Sequence, residues 1–259
     1  MPANDELNIV DRVAVVIGGT SGIGRALAVG LARHGAHVVA TGRREKEVDD
    51  AAAEIEALGR QTVRCTADAR NRESIDAFRE AVVARLGHVD ILINAAGYTF
   101  KEPTVTVDEF RFSALMDTHL MSVLRAGQSF FDLLAASGHG RIINIASLGS
   151  FLAFHQVAAY CAAKTAILSL TRSLACEWAE YGIVVNAIAP GVFPTELNRN
   201  LVMGTARGQE ILMRTPMRRF GSPEELVGLA VLLSSDAVSF LTGQCIAVDG
   251  GYLASGVNS

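Results

Sequence analysis

Tyr160 and Lys164 stand four positions apart in an alanine-rich stretch, Tyr160-Cys-Ala-Ala-Lys164. In a helix that spacing puts both side chains on one face, about one turn apart. A phenol titrates near pH 10 and is a poor base at neutrality. An ammonium beside it stabilises the phenolate and lowers that value. Bringing it to about 7 takes roughly 4 kcal/mol, within the range of a charge pair held out of bulk water. Ser147 lies thirteen residues upstream. Its hydroxyl could hold a substrate oxygen within hydrogen-bond reach of Tyr160. The three side chains suit proton transfer at an alcohol or a carbonyl. Taken singly, the Tyr/Lys pair also reads as a surface pair, and Ser147 as a strand-end cap.

Rival chemistries fail on spacing. A G-x-S-x-G nucleophile elbow would need Gly at 145, where the chain has Ile. No metal constellation is present: His34 and His37 straddle a helix end without carboxylate or thiol company. Cys65, Cys161, Cys176 and Cys245 are scattered, with no C-x-x-C pair. That argues against zinc and for a reduced, cytoplasmic setting.

A second constellation lies near the start. The β-branched run Val13–Ile17 leads into Gly18, Gly19, Thr20, Ser21, Gly22, Ile23 and Gly24. Such a turn brings backbone close to a diphosphate, and the following helix offers its N-terminal N–H groups to the same anion. A P-loop would need Lys-Ser/Thr where Arg25-Ala26 stands. By itself the turn also reads as a tight strand-to-helix connection without a ligand. The second strand ends in Gly42, Arg43 and Arg44, with no acidic residue before Glu45. An acidic residue there would take the free 2′-hydroxyl of NAD, whereas arginine accommodates a 2′-phosphate. NADP(H) is therefore favoured over NAD(H). The alternative is a solvated basic start to the next helix.

These residues need elements to position them. Apolar runs alternate with amphipathic stretches along the whole chain. Strands are expected at 13–17, 37–40, 62–65, 90–94, 141–146, 183–188 and 245–248. Helices are expected at 22–34, 45–58, 72–86, 157–180 and in a long stretch over 107–136 that breaks near its start. A further helix opens at Pro223 behind a Ser222 cap. Strands that are apolar throughout, each followed by a helix, imply a parallel sheet covered on both faces. The expectation is one doubly wound α/β domain over residues 1–259, with about seven strands.

Composition fits a globular enzyme. Half of the 259 residues are hydrophobic and 19% are charged, enough apolar surface for a sizeable core. The net charge of −4 argues against nucleic-acid binding. No apolar run reaches the roughly 18–20 residues that span a bilayer. The polar opening, Met1 to Asp11, lacks the order of a secretory signal.

Taken in order, these motifs resemble the short-chain dehydrogenase/reductase family over essentially the whole length. The matching signals are Gly18-x-x-x-Gly22-Ile23-Gly24, Asp68, Asn94-Ala95-Ala96-Gly97, Ser147, Tyr160-x-x-x-Lys164, Asn186 to Pro190-Gly191, and Asp249-Gly-Gly251. The resemblance implies a Rossmann-type sheet and often a homotetramer. It implies Tyr160 as general acid/base, Lys164 on the nicotinamide ribose and Ser147 on the substrate oxygen. It also implies Asp68 at the adenine, Asn94 to Gly97 along the adenosine and ribose, and Pro190, Gly191, Phe193 and Thr195 at the carboxamide.

Three departures stand out. Ile17 precedes the first glycine where the family often has Thr, and Ala95 replaces an Asn. The family's fourth catalytic-set residue is an Asn, and the matching stretch here is Asp117-Thr-His119-Leu120. His119 would then serve a proton relay and impose a pH dependence near neutrality. The alternative is that it packs inside the helix.

Residues 192–219 correspond to the family's substrate lid. They hold Phe193, Leu197, Leu201, Val202 and Met203, with Arg199, Arg207, Arg214, Arg218 and Arg219 against Glu196 and Glu210. A cationic lid suits an anionic substrate, although solvated arginines would look the same. The segments at 216–221 and 252–258 resemble the gluconate 5-dehydrogenase and deoxygluconate dehydrogenase branch, implying a small sugar acid. The alternatives are a 3-oxoacyl-carrier-protein reductase and a nucleotide-binding scaffold that has lost catalysis. The carrier-protein reading is weakened because 135–139 and 179–182 contain no Lys or Arg to dock an acidic carrier.

Overall fold

The strands observed are β1 (Val13–Ile17), β2 (His37–Thr41), β3 (Ile91–Asn94), β4 (Arg141–Ile145), β5 (Val184–Pro190) and β6 (Cys245–Val248). All are parallel, in the order β2-β1-β3-β4-β5-β6. The computed structural model describes residues 6–196 and 198–257, so Leu197 of the expected lid lies outside the described residues.

The alternation of side chains explains why these strands are apolar throughout. Ala14, Val16, Val38, Ile93 and Ile143 pack on one face with α1 (Gly22–Arg33) and α9 (Val227–Ser234). Val15, Ile17, Leu92, Ile142 and Val185 pack on the other with α3 (Arg72–Leu86), α5 (Ser122–Ser137) and α6 (Ala158–Trp178). There Phe78 and Phe130 meet edge to face with centroids 6.1 Å apart. Burying each such ring contributes about 1.5–3 kcal/mol.

Among the described residues six strands form where seven were expected. The stretch 62–65 lies beside β2 but builds no ladder among the described residues. It is tied to β2 by Val38 N–H to the Gln61 carbonyl at 3.1 Å and Thr41 Oγ1 to the Cys65 carbonyl at 2.8 Å. Its mixed sequence, Arg60-Gln-Thr-Val-Arg-Cys-Thr66, is half exposed at the sheet edge. It buries too little on either face to hold strand geometry. The long helical stretch divides into α4 (Glu109–Met116), a π-helical turn at Asp117–Met121, and α5.

Topology and register then place the site. From β1 the chain moves out to β2 and returns to β3 on the other side of β1. The loops leaving β1 and β3 diverge at that switch point and open a crevice. Ile17 pairs with both Thr41 and Asn94, and Asn94 with Asn144, so these strands end level. Their loops form one rim.

Candidate active site

A cleft of about 550 Å³ runs along this rim. The glycine turn forms one wall. Gly18 sits at φ +78, and a Cβ there would stand 2.6 Å from the Ala96 backbone. A Cβ on Gly24 would stand 2.0 Å from the Gly18 carbonyl, so the base of α1 closes directly on the turn. Gly22 faces the Thr195 side chain across the cleft, and a Cβ there would fill the gap to 3.3 Å. The first turn of α1 carries no acidic residue, so its positive end is left for an anion. A bare, glycine-walled helix terminus at a sheet switch point fits a dinucleotide diphosphate. Thr20, Ser21 and Ile23 also line the cleft.

The outer end is basic. Arg43 and Arg44 are exposed on its rim. Arg44 is ion-paired with Glu47 at the start of α2 (Glu45–Ala57). Asp68 also lines the cleft, with its carboxylate engaged. Oδ1 accepts from the Arg70 N–H at 3.0 Å and from its Nε at 3.1 Å, and Oδ2 accepts from Nη2 at 2.8 Å. These bonds, aided by the charge of Arg43, hold the carboxyl below the usual carboxylate range.

Ala95, Ala96 and Gly97 line the middle of the cleft, whereas Asn94 lies beneath it. Asn94 Nδ2 donates to Asn144 Oδ1 at 2.9 Å, while Asn94 Oδ1 is buried without a partner. Pro190, Gly191, Phe193 and Thr195 form the far wall.

Ser147, Tyr160, Lys164 and His119 converge at the inner end. Ser147 follows β4, and its Oγ accepts from the Gly149 N–H at 3.0 Å. Lys164 is 5% exposed and donates from Nζ to the Ile145 carbonyl at 2.6 Å. Burial pulls its ammonium down to about 7. Burial also pushes the Tyr160 hydroxyl above the ordinary phenol value, opposed in part by its hydrogen bond with Ser147. The expected lowering of Tyr160 by Lys164 is therefore not the balance found in the chain itself. Nζ lies 5.7 Å from the ring centroid, and desolvation disfavours both charged forms.

His119 projects from the π-helical turn and is 2% exposed. Its Nε2 lies 2.7 Å from the Tyr98 carbonyl and 3.1 Å from the Tyr98 N–H. Its ring meets Tyr160 edge to face, with centroids 5.5 Å apart. Nδ1 is buried without a partner. Desolvation, then the charge of Lys164, pulls the imidazole down to about 3. A group so depressed is neutral at physiological pH in the chain itself.

Comparison with known proteins matches this architecture throughout. A family model described as enoyl-(acyl carrier protein) reductase matches residues 18–253. The 2-dehydro-3-deoxy-D-gluconate 5-dehydrogenase of Escherichia coli (strain K12) is 39% identical over 94% of this chain and 96% of its own. The chain belongs to the short-chain dehydrogenase/reductase family. An NAD-dependent glycerol dehydrogenase of Listeria innocua is 38% identical over 95% of this chain and 96% of its own. The crystal structure of a gluconate 5-dehydrogenase from Burkholderia cenocepacia, in complex with NADP and tartrate, superposes with a TM-score of 0.93. It is 37% identical, over 97% of this chain and 99% of that one.

In this short-chain dehydrogenase/reductase the arginines of 192–219, expected to serve an anionic substrate, lie away from the cleft. None of Arg199, Arg207, Arg214, Arg218 and Arg219 lines the cleft. Arg214 pairs with Glu210 at 3.0 Å and Arg219 with Glu225 at 2.6 Å. Arg218 reaches the Met213 carbonyl at 3.0 Å. Helix α8 (Ala206–Arg214) buries Gly208 and Ile211 and turns its charges outward. The described polar residues of 192–219 that do line the cleft are Thr195, Glu196 and Asn198. Tyr98, Arg70 and Asn198 also line the cleft without having been expected there, and Glu196, counted only as an opposing charge, lines it too. Tyr98 was signalled by its position directly after Gly97, and Arg70 by its place two residues past Asp68. Nothing in the sequence singled out Asn198.

Proposed function

We propose that the protein transfers a hydride between NADP(H) and a secondary alcohol or ketone of a small polyhydroxy acid. The observation that carries this is the convergence of Ser147, Tyr160 and Lys164 at the inner end of the glycine-walled cleft. The relatives support the substrate class, since several are named for gluconate or deoxygluconate.

In this reading the turn at 18–24 and the start of α1 hold the diphosphate. Arg43 meets the 2′-phosphate, and Asp68 with Ala95 to Gly97 flanks the adenosine. The bound nicotinamide supplies or accepts the hydride. Ser147 Oγ hydrogen-bonds the reacting oxygen, and Tyr160 gives it a proton on reduction or takes one on oxidation. Lys164 contacts the ribose. His119 acts as a neutral brace between Tyr98 and Tyr160. The protein assembles as a homotetramer, which sedimentation would test.

A neutral polyol such as glycerol is a second reading. It is favoured by the absence of every lid arginine from the cleft, and by the presence of Glu196 there. The test is initial-rate oxidation of gluconate, deoxygluconate and glycerol with NADP and with NAD. Faster NADP-dependent turnover of the acids is the expected result. Turnover of glycerol alone selects the second reading, and no turnover of any polyol overturns both.

A further inference from the structure

The far wall of the cleft is irregular chain between β5 and the short helix α7 (Arg199–Val202). Loop backbone of this kind carries polar groups that need partners, and one side chain supplies them. Asn198 Oδ1 accepts from the Thr195 N–H at 2.8 Å, and its Nδ2 donates to the Phe193 carbonyl at 3.0 Å. The Thr195 carbonyl in turn accepts from the Asn198 N–H at 3.1 Å and the Arg199 N–H at 2.8 Å. The amide thus bridges both ends of the segment 193–195 and ties it to the start of α7.

That segment touches the opposite wall. The Thr195 side chain is what a Cβ on Gly22 would meet at 3.3 Å, so Thr195 stands directly across from the glycine turn. Phe193 is 4% exposed, and its ring fills the space beside Gly221, where a Cβ would stand 2.2 Å from it. Phe193 is anchored by packing, whereas Thr195 has the Asn198 clamp on its N–H. The amide serves both partners at once because it carries its acceptor and its donor on separate atoms.

We propose that Asn198 is a positioning residue that holds Thr195 against the glycine turn and so sets how tightly the dinucleotide is retained. This rests on the cofactor reading given above. Losing both bonds should free the wall and weaken NADPH binding by about tenfold, the scale of one or two net hydrogen bonds. Turnover at saturating NADPH should fall by a smaller factor than NADPH affinity does, because Asn198 acts through Thr195 and touches no reacting atom itself.

The experiment is direct fluorescence titration of NADPH into the parent, Asn198→Ala and Asn198→Ser, with kcat measured at saturation and thermal unfolding followed in parallel. Alanine removes both bonds. A serine hydroxyl can still accept from the Thr195 N–H, so its Kd should fall between the other two, and it carries the test if the alanine variant does not fold. Equal Kd in parent and folded variants overturns the assignment, as does a loss of kcat at unchanged Kd. A parent that binds neither NADPH nor NADH overturns the cofactor reading and this assignment with it. A parent that binds NADPH beside an Asn198→Ala that binds it equally overturns the assignment alone.

Discussion

His119 Nε2 sits at the Tyr98 peptide, 2.7 Å from its carbonyl and 3.1 Å from its N–H, and donates to the first or accepts from the second according to the ring tautomer. The side chain is buried against Tyr160, and desolvation with the nearby Lys164 charge pulls it down to about 3. Parent and His119→Asn should therefore give pH–rate profiles of the same shape between about pH 6 and 9. A limb near 6.5 that disappears in the variant would show that His119 charges during the reaction. The stability sign follows from the same shift. The unfolded chain takes a proton at His119 below about 6.5, and the folded chain only near 3. Stability should fall as pH drops through that window. Urea unfolding at about pH 7 and pH 5 should show a smaller loss in His119→Asn.

Lys164 is depressed to about 7 by burial, although its Nζ donates to the Ile145 carbonyl at 2.6 Å. One carbonyl does not replace the hydration of an ammonium. An anionic dinucleotide beside it should favour the charged form, so NADPH binding at about pH 8 should take up protons. Calorimetry in two buffers of different ionisation enthalpy measures that uptake, and Lys164→Met should abolish it. Equal uptake in the variant would place the titrating group elsewhere. The unfolded chain keeps this proton up to 10.5 and the folded chain releases it above about 7. Its contribution to stability should therefore rise with pH across that window.

The parts of the site that rest on spacing were legible in the sequence. Tyr160 and Lys164 share a helix face, Ser147 follows a buried strand, and the glycines at 18, 22 and 24 sit at a strand-to-helix turn. What depends on distant partners was not. Residues 62–65 have strand-like character but lack the two-sided burial that makes a ladder. The lid arginines gave a local charge excess, yet Arg214 and Arg219 are taken by Glu210 and Glu225. The Tyr160 shift runs upward because desolvation, a tertiary quantity, dominates it and Ser147 opposes it only in part, while burial also disfavours the charged form of Lys164.

The two arginines after β2 should contribute unequally to cofactor choice. Arg44 is drawn along its helix by Glu47, whereas the influence of Arg43 falls on Asp68 at the cleft. Arg43→Ala should weaken NADPH binding by about tenfold, as for one charge-assisted bond, and leave NADH almost unchanged. Arg44→Ala should have a smaller effect. Titration of both cofactors into both variants checks this. An equal loss for NADPH and NADH in Arg43→Ala would remove the 2′-phosphate from its role.

Tyr160 carries the sharpest test, because its protonation state should divide the two directions of reaction. Burial holds the phenol protonated, and its bond with Ser147 only partly opposes that. Reduction needs a proton donor, so its rate should hold through neutrality and fall as the phenol ionises at alkaline pH. Oxidation needs an acceptor, so its rate should climb over the same interval. Tyr160→Phe keeps the ring against His119 and removes the hydroxyl alone. Turnover in both directions should drop by about 10²–10⁴-fold while NADPH affinity is nearly retained. Rates measured in both directions across pH, for parent and variant, decide the matter. A phenylalanine variant that turns over like the parent would mean that another group moves the proton. Parallel pH curves in the two directions would mean that Tyr160 does not titrate in the rate-limiting step.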